Sequence, residues 1–357
     1  MAVSANEGPP DMSTRRRSLD LVNGRIDLSH GAGGRAMGQL IGELFHAAFD
    51  NEWLRRGDDQ AAFQVPAGRM VMTTDGYVVS PLFFPGGDIG SLAVHGTIND
   101  VAMAGARPLY LSASFILEEG FPLAELARIA RSMGEASRAA GVPVVTGDTK
   151  VVERGKADGV FIATTGIGVV PAGLDLSADR ARPGDAVVLS GTIGDHGVAV
   201  MSKRKNVEFE TRILSDSAAL HGLVADMVAA AGPSLRLMRD PTRGGLAATL
   251  NEIADRSGVG VRLVEAAIPV KPEVAAACEL LGLDPLDVAN EGKLVAVVEQ
   301  SAADGLVATM RGHPLGRDAA VIGEVVADPD RFVQMTTVFG GERIVAWLAG
   351  EALPRIC

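Results

Sequence analysis

Cysteine is nearly absent: Cys278 and Cys357 are the two among 357 residues, and they form no CxxC spacing. Two thiols cannot build a disulfide framework, so the composition points to a reducing cytoplasm. Prenylation is excluded as well, because that signal needs its cysteine fourth from the end. No run of about 18 apolar residues occurs, which excludes a transmembrane helix. Residues 14–19, Thr-Arg-Arg-Arg-Ser-Leu, loosely resemble a twin-arginine export signal, but Asp20, Asn23, Arg25 and Asp27 stand where its apolar core belongs. Positive charge is short: 33 Lys and Arg face 44 Asp and Glu, for a net charge of -11. Such a surface repels nucleic acid and anionic membranes, but it suits a protein that meets phosphates through metal ions. There is no GxxxxGK[ST] run, so a P-loop is excluded. The six histidines, His30, His46, His95, His196, His221 and His313, show no HxH or HxxxH pairing, which gives zinc no support. Aromatic residues make up only 4%.

What is plentiful is aliphatic core material and glycine: 47% hydrophobic residues and 43 Gly. That excludes global disorder, and the length predicts two domains. Apolar runs at Met70 to Thr74, Val142 to Thr146, Val160 to Val170, Ala186 to Ser190, Val259 to Val264, Leu294 to Val298 and Ala320 to Val326 read as strands. Leu123, Leu126, Ile129, Ala130 and Met133 keep helical spacing, as do Leu246, Leu250 and Ile253. The alternation predicts an α/β or α+β enzyme. The Pro- and Gly-containing stretch 171–184 marks a domain boundary. The expected organisation is a mobile tail at 1–22, domains at 23–172 and 173–349, and a flexible tail at 350–357 that starts where Gly350 ends a helix containing Trp347. Extended, that last segment reaches roughly 25 Å, enough to cross from a surface into a cleft.

Several motifs carry chemistry. Gly31-Ala32-Gly33-Gly34-Arg35-Ala36 follows an expected short strand, Arg25 to Leu28, and opens a helix carrying Met37, Leu40, Ile41 and Leu44. Its backbone amides suit a phosphate contact, although a plain helix-entry turn explains the same glycines. A dinucleotide fold would need an acid ending a second strand about 20 residues on; Asp58 and Asp59 instead follow Asn51-Glu52-Trp53-Leu54-Arg55-Arg56. Asp59, Asp75 at the end of an apolar strand, Asp100 on a small-residue helix and Asp240 in Asp240-Pro241-Thr242-Arg243-Gly244-Gly245 are costly to bury alone but together suit Mg2+ with phosphate ligands. Singly, each is a cap or turn residue. Lys150, in Gly147-Asp148-Thr149-Lys150 just past a buried strand, offers a cation to phosphate or a base if desolvated; a surface turn is the plainer reading. Glu291, in Asn290-Glu291-Gly292-Lys293, reads by itself as a turn residue. His30 and His196 each lie near a glycine, where a structural role is the simpler account. Cys278 sits on an apolar helix, Val274 to Leu281, as a core thiol. Cys357, by contrast, ends the run Pro354-Arg355-Ile356-Cys357, where a thiol can be presented to another protein and then withdrawn.

Taken together and in order, these motifs and the terminal Pro-Arg-Ile-Cys closely resemble the HypE family of hydrogenase maturation carbamoyl dehydratases, from about Asn23 to Cys357. The family lies in the superfamily of aminoimidazole ribonucleotide synthetase and selenophosphate synthetase. The resemblance implies a two-domain PurM-like ATP-binding fold, a homodimer formed through the N-terminal domain, and ATP with Mg2+ as cofactors. It implies that Cys357 accepts a carbamoyl group from HypF, that the S-carboxamide is dehydrated to a thiocyanate, and that cyanide passes to iron in a HypC and HypD complex. Metal would fall to Asp59, Asp75, Asp100 and Asp240, and the nucleotide to Gly33, Gly34, Asn99, Asp148, Thr242, Gly244 and Gly245. Glu291 would be the base, with Lys150 orienting it or stabilising the phosphorylated intermediate. A small-molecule synthetase of the same superfamily would need a Cys or selenocysteine near the glycine loop, and none is there. A non-catalytic carrier of a modified tail is the other alternative, which the acidic cluster and Lys150 oppose. The basic segment before Leu19 lies outside the resemblance.

Overall fold

In the computed structural model, residues 18–206, 213–347 and 353–357 are described. Two sheets organise them. The first contains β1 (Arg69–Tyr77), β2 (Arg107–Glu118), β3 (Val144–Val152) and β4 (Val160–Val170), in the spatial order β1-β4-β2-β3. Only β2 and β3 run parallel. One crossover helix, α1 (Ile89–Met103), packs on β1 and β4, and a second, α2 (Leu123–Ala140), packs on α1. The stacking is close because the sequence places small residues at the crossing: a side chain at Gly90 would strike the carbonyl of Ile129, and one at Gly96 would strike the Tyr77 hydroxyl. Asp88 starts α1, its carboxylate accepting the amides of Gly90 at 2.8 Å and Ser91 at 3.1 Å.

The second sheet contains β5 (Asp185–Leu189), β6 (Leu235–Arg239), β7 (Gly260–Val264), β8 (Val295–Glu299), β9 (Ala320–Val326), β10 (Val333–Thr336) and β11 (Glu342–Ile344), in the order β11-β10-β7-β9-β5-β8-β6. Its helices are α3 (Asp195–Lys205), α4 (His221–Ala231), α5 (Gly245–Ser257), α6 (Pro272–Leu281) and α7 (Gln300–Gly312). Strand alternation divides the core. Val187 and Leu189 face α5 with Leu246, Leu250 and Ile253, while Ala186 and Val188 face α4 and α7 with Leu223, Met227, Leu306 and Met310. The remaining helices, α3 and α6, turn their apolar sides the other way. Val198, Val274, Ala277 and Cys278 join one continuous core with Phe84, Ile89 and Phe115 of the first unit, and Leu353 and Ile356 sit in it.

The α+β reading holds, and the strands expected at 160–170 and 320–326 are found at those limits. Three expectations change. Arg25 to Leu28 is no strand: Arg25 makes a single bridge to Pro122, and Leu28–Gly31 is a 3-10 turn capped by Asp27. The helix after the glycine loop is Arg35–Gln39, passing into a π-helical turn at Leu40–Phe45. Gly147 to Lys150 does not follow a strand but lies inside β3, which Val151 and Val152 prolong. The helix end expected at Gly350 lies outside the described residues, as does most of the N-terminal segment. No helix among the described residues is long and apolar enough to cross a membrane.

Candidate functional site

Asp75, Tyr77, Gly96, Asp100, Asp240, Thr242, Arg243, Glu291 and Cys357 line one cavity between the two sheet units. Each wall has a local cause. Asp75 is carried by β1 opposite Thr164. Asp100 is on the last turn of α1, where the Thr73 hydroxyl donates to its carboxylate at 2.7 Å. Asp240 directly follows β6, and the turn Thr242 to Gly244 leads into α5. Gly244 and Gly245 both have positive φ, +76° and +62°, and a side chain at Gly245 would collide with the carbonyls of Leu286 and Val288. Glu291 is 3% exposed; its amide donates to Asp216 at 3.1 Å, and its Oε1 has no hydrogen-bond partner. Behind it, Lys293 and Asp216 form a buried ion pair at 3.1 Å.

This enclosure sets the electrostatics. Burial, reinforced by Asp100 and Asp75, pushes the Asp240 carboxyl up to about 7. Burial likewise raises Asp100, despite its bond from Thr73. Burial first, then Asp240, Asp216, Asp75 and Asp100, pushes Glu291 well above the carboxylate range. The Cys357 thiol is pushed far up by burial and then by Glu291, with Arg243 acting in the opposite sense. Burial and mutual repulsion thus raise the proton affinity of Asp100, Asp240 and Glu291, and the cavity contains an unpartnered buried oxygen. Among the described residues no three His, Cys, Asp or Glu side chains are close enough to hold an ion by themselves. The donor set therefore suits a cation whose remaining ligands come from an anionic substrate, rather than an all-protein cage.

The structure brings together six of the residues singled out in the sequence: Asp75, Asp100, Asp240, Thr242, Glu291 and Cys357. Gly244 and Gly245 stand at the adjoining helix entry. Others lie apart. Asp59 is exposed in the loop before β1, and Gly33 and Gly34 are exposed with open space around them. Asp148 and Lys150 pair with each other at 2.7 Å on the exposed side of β3. Asn99 is buried as a tie between the units, donating to the carbonyls of Ala218 and Glu291 and accepting from the Leu220 amide. Residues that sequence reasoning left unassigned also belong here. Arg243 stands inside the Asp240 to Gly245 motif; Tyr77 and Gly96, which only the fold brings to the cavity, and Asp216, which it brings behind Glu291, gave no signal.

The segment expected to be a flexible tail is docked, at residues 353–357, in this chain's own cleft. Leu353 and Ile356 are 9% and 2% exposed, and Cys357 packs beside them against the shared core.

Residues 57–170 match the family described as AIR synthase related protein, N-terminal domain, and residues 182–336 its C-terminal domain. A carbamoyl dehydratase HypE of Rhizobium leguminosarum bv. viciae is 76% identical over 342 residues, 96% of this chain and 98% of that protein. Of the solved structures, a hydrogenase maturation protein HypE in complex with ATP superposes with a TM-score of 0.89 at 49% identity, covering 92% of this chain and 99% of that one. A HypE chain from a HypE–HypF complex superposes with a TM-score of 0.77 at 50% identity, covering 87% and 99%.

Proposed function

Since this chain belongs to the HypE family of carbamoyl dehydratases, which serve hydrogenase maturation, we propose that its own terminal thiol carries the group it dehydrates. One observation carries the reading: Cys357 lies in the cavity that also holds Glu291 and the three aspartates. The reaction converts an S-carboxamide, R–S–C(=O)–NH2, to a thiocyanate, R–S–C≡N. The amide oxygen is a poor leaving group. Transfer of the γ-phosphoryl of ATP to that oxygen lets it depart as phosphate while the nitrogen loses both protons and the C≡N bond forms.

Glu291 takes a nitrogen proton. A carboxylate whose proton affinity is raised by burial and by neighbouring acids is a better base than an exposed one, and its free Oε1 has no competing partner. The triphosphate belongs at the Thr242 to Gly245 turn, where the N-terminus of α5 favours an anion. Asp75, Asp100 and Asp240 would share with the phosphates the holding of a divalent cation, which would supply the charge neutralisation that phosphoryl transfer requires. Asp59, Gly33, Gly34, Asp148 and Lys150 need a second copy of the chain, or movement, to take part. A homodimer through the first sheet is supported by the exposed apolar side chains Met70, Met72 and Ile116 on it. HypF, the partner in a relative's complex, loads the thiol; a HypC and HypD complex receives the cyanide, and the cytoplasm is the compartment.

Intact mass spectrometry tests this. Incubated with HypF, carbamoyl phosphate and ATP, the wild type should gain a carbamoyl adduct at Cys357 that loses one water only when Mg-ATP is present. The Cys357→Ala variant should gain none. An adduct that never dehydrates would leave a carrier without chemistry, and no adduct on Cys357 would reject the reading altogether.

A further inference from the structure

We propose that Arg204 and His196 are positioning residues, a clamp that reads the main chain of the docked tail and sets the Cys357 thiol against Glu291. This rests on the reading that Cys357 carries the cargo. The three carbonyls from Pro354 to Ile356 and a terminal carboxylate oxygen of Cys357 are all taken by the body of the protein. Arg204, in the last turn of α3, donates from Nη1 to Pro354 at 2.6 Å and from Nη2 to Arg355 at 2.6 Å, while its Nε donates to Ser80 at 2.7 Å. One planar guanidinium therefore staples the tail to the segment beside it. That segment supplies the other edge: the Ser80 amide donates to the Arg355 carbonyl at 3.1 Å, and the Val78 amide to Cys357 at 3.3 Å. Residues 78 and 80 thus donate to 357 and 355, two main-chain bonds that hold the tail in a turn, with Arg355 at φ +53°, rather than as an added strand.

His196 takes the remaining carbonyl. Its Nε2 lies 2.9 Å from the Ile356 oxygen and its Nδ1 2.8 Å from the Ser215 hydroxyl. A carbonyl only accepts, so Nε2 carries the proton; burial keeps the ring neutral, and Nδ1 then accepts from Ser215. Ser215 adjoins Asp216, which accepts the Glu291 amide. The tail carbonyl and the backbone of the base are therefore fastened to two consecutive residues of one loop. A tail held this way is specified by its main chain, with Ile356 filling an apolar socket and Arg355 pairing with Asp158 outside it.

The test is thiol labelling of the full-length protein with N-ethylmaleimide, reading Cys357 and Cys278 by mass in one sample. In the docked state Cys357 is half-buried in the cleft and its thiolate disfavoured, so its labelling rate rises with the undocked population. Cys278, 1% exposed with a thiol pushed up to about 11, reports opening of the core. Arg204→Gln should raise the Cys357 rate about tenfold or more, as loss of bonds to a charged donor implies, and leave Cys278 unchanged. His196→Gln should act in the same direction. Arg204→Lys, which keeps the charge but not the fork, should fall between. An unchanged Cys357 rate in Arg204→Gln, or a parallel rise at both thiols in Arg204→Gln and Arg204→Lys, overturns the clamp. Labelling needs no carbamoyl group, so this result and the fate of the cargo reading are separable.

Discussion

Two lysine–aspartate pairs stand in contrasting regions of the molecule. Lys293 and Asp216, behind the cavity, are 3.1 Å apart with side chains 13% and 4% exposed; Lys150 and Asp148, on β3, are 2.7 Å apart and 63% and 53% exposed. By distance alone the second pair is the tighter. By environment the first matters more, because a charge deprived of water depends on its partner whereas an exposed one does not. Asp216 shows this balance: burial drives its carboxyl up, yet Lys293, His196 and the Glu291 amide outweigh burial and leave it below the ordinary value. Asp148 is lowered mainly by its hydrogen bond from Lys150, in a place where solvent can replace that bond. The same residue types thus build a charge-coupled interior in one region and a screened surface in the other.

The largest expected effect tests whether the interior is chemical as well as structural. Glu291→Gln should retain carbamoylation of Cys357 and lose dehydration by about two to four orders of magnitude, the usual scale for a removed general base. The substitution keeps the shape of the side chain and removes an ionisable group from a buried place, so thermal melting should not fall. Normal thiocyanate formation in this variant, followed by intact mass, would reject Glu291 as the base.

Next comes the support behind it. Asp216→Asn keeps an acceptor for the Glu291 amide but strands Lys293 in a buried place, and should cost about 3–5 kcal/mol near pH 7. The sign with pH follows from the lowered carboxyl. Its folded pKa lies below the unfolded value of about 3.9, so the stability it contributes is present above that pH and lost as the pH falls through the folded pKa. The gap between wild type and variant in thermal melts should therefore close below about pH 4. A gap of constant size from pH 7 to pH 3 would remove the ion pair from the explanation.

Much of this contrast was legible in the residues themselves. Val160 to Val170 and Ala320 to Val326 declare strands through runs rich in apolar and β-branched residues, and Leu123 to Met133 declares a helix through its spacing. The central strand β2 did not, because Arg107-Pro108 and the alternating Ser112 and Ser114 interrupt its apolar signal. Asp75, Asp100, Asp240 and Cys357 could be picked out by residue type and motif, Glu291 only through the family resemblance, and the fold gathers them. What a linear reading lacks is side: period two places Asp148 and Lys150 on the outer face of β3 while Thr149 points in. Asp216, Arg204 and His196 acquire their roles only from what the fold lays beside them.

Lys150 gives the smallest expected effect on the folded protein and the sharpest question about the comparison. Lys150→Ala removes one exposed partner, so stability should change by no more than about 1 kcal/mol. Dehydration is the discriminating measurement. If the surface pair is only a surface pair, the rate matches wild type, and the division between enclosed and screened charge stands as drawn. If dehydration drops tenfold or more while melting is unchanged, Lys150 acts on the cargo from an arrangement that one chain does not make, with a second copy packed on the outer face of the first sheet. The Asp148 pair would then hold the lysine in store, and the exposed region would become half of a site shared between copies.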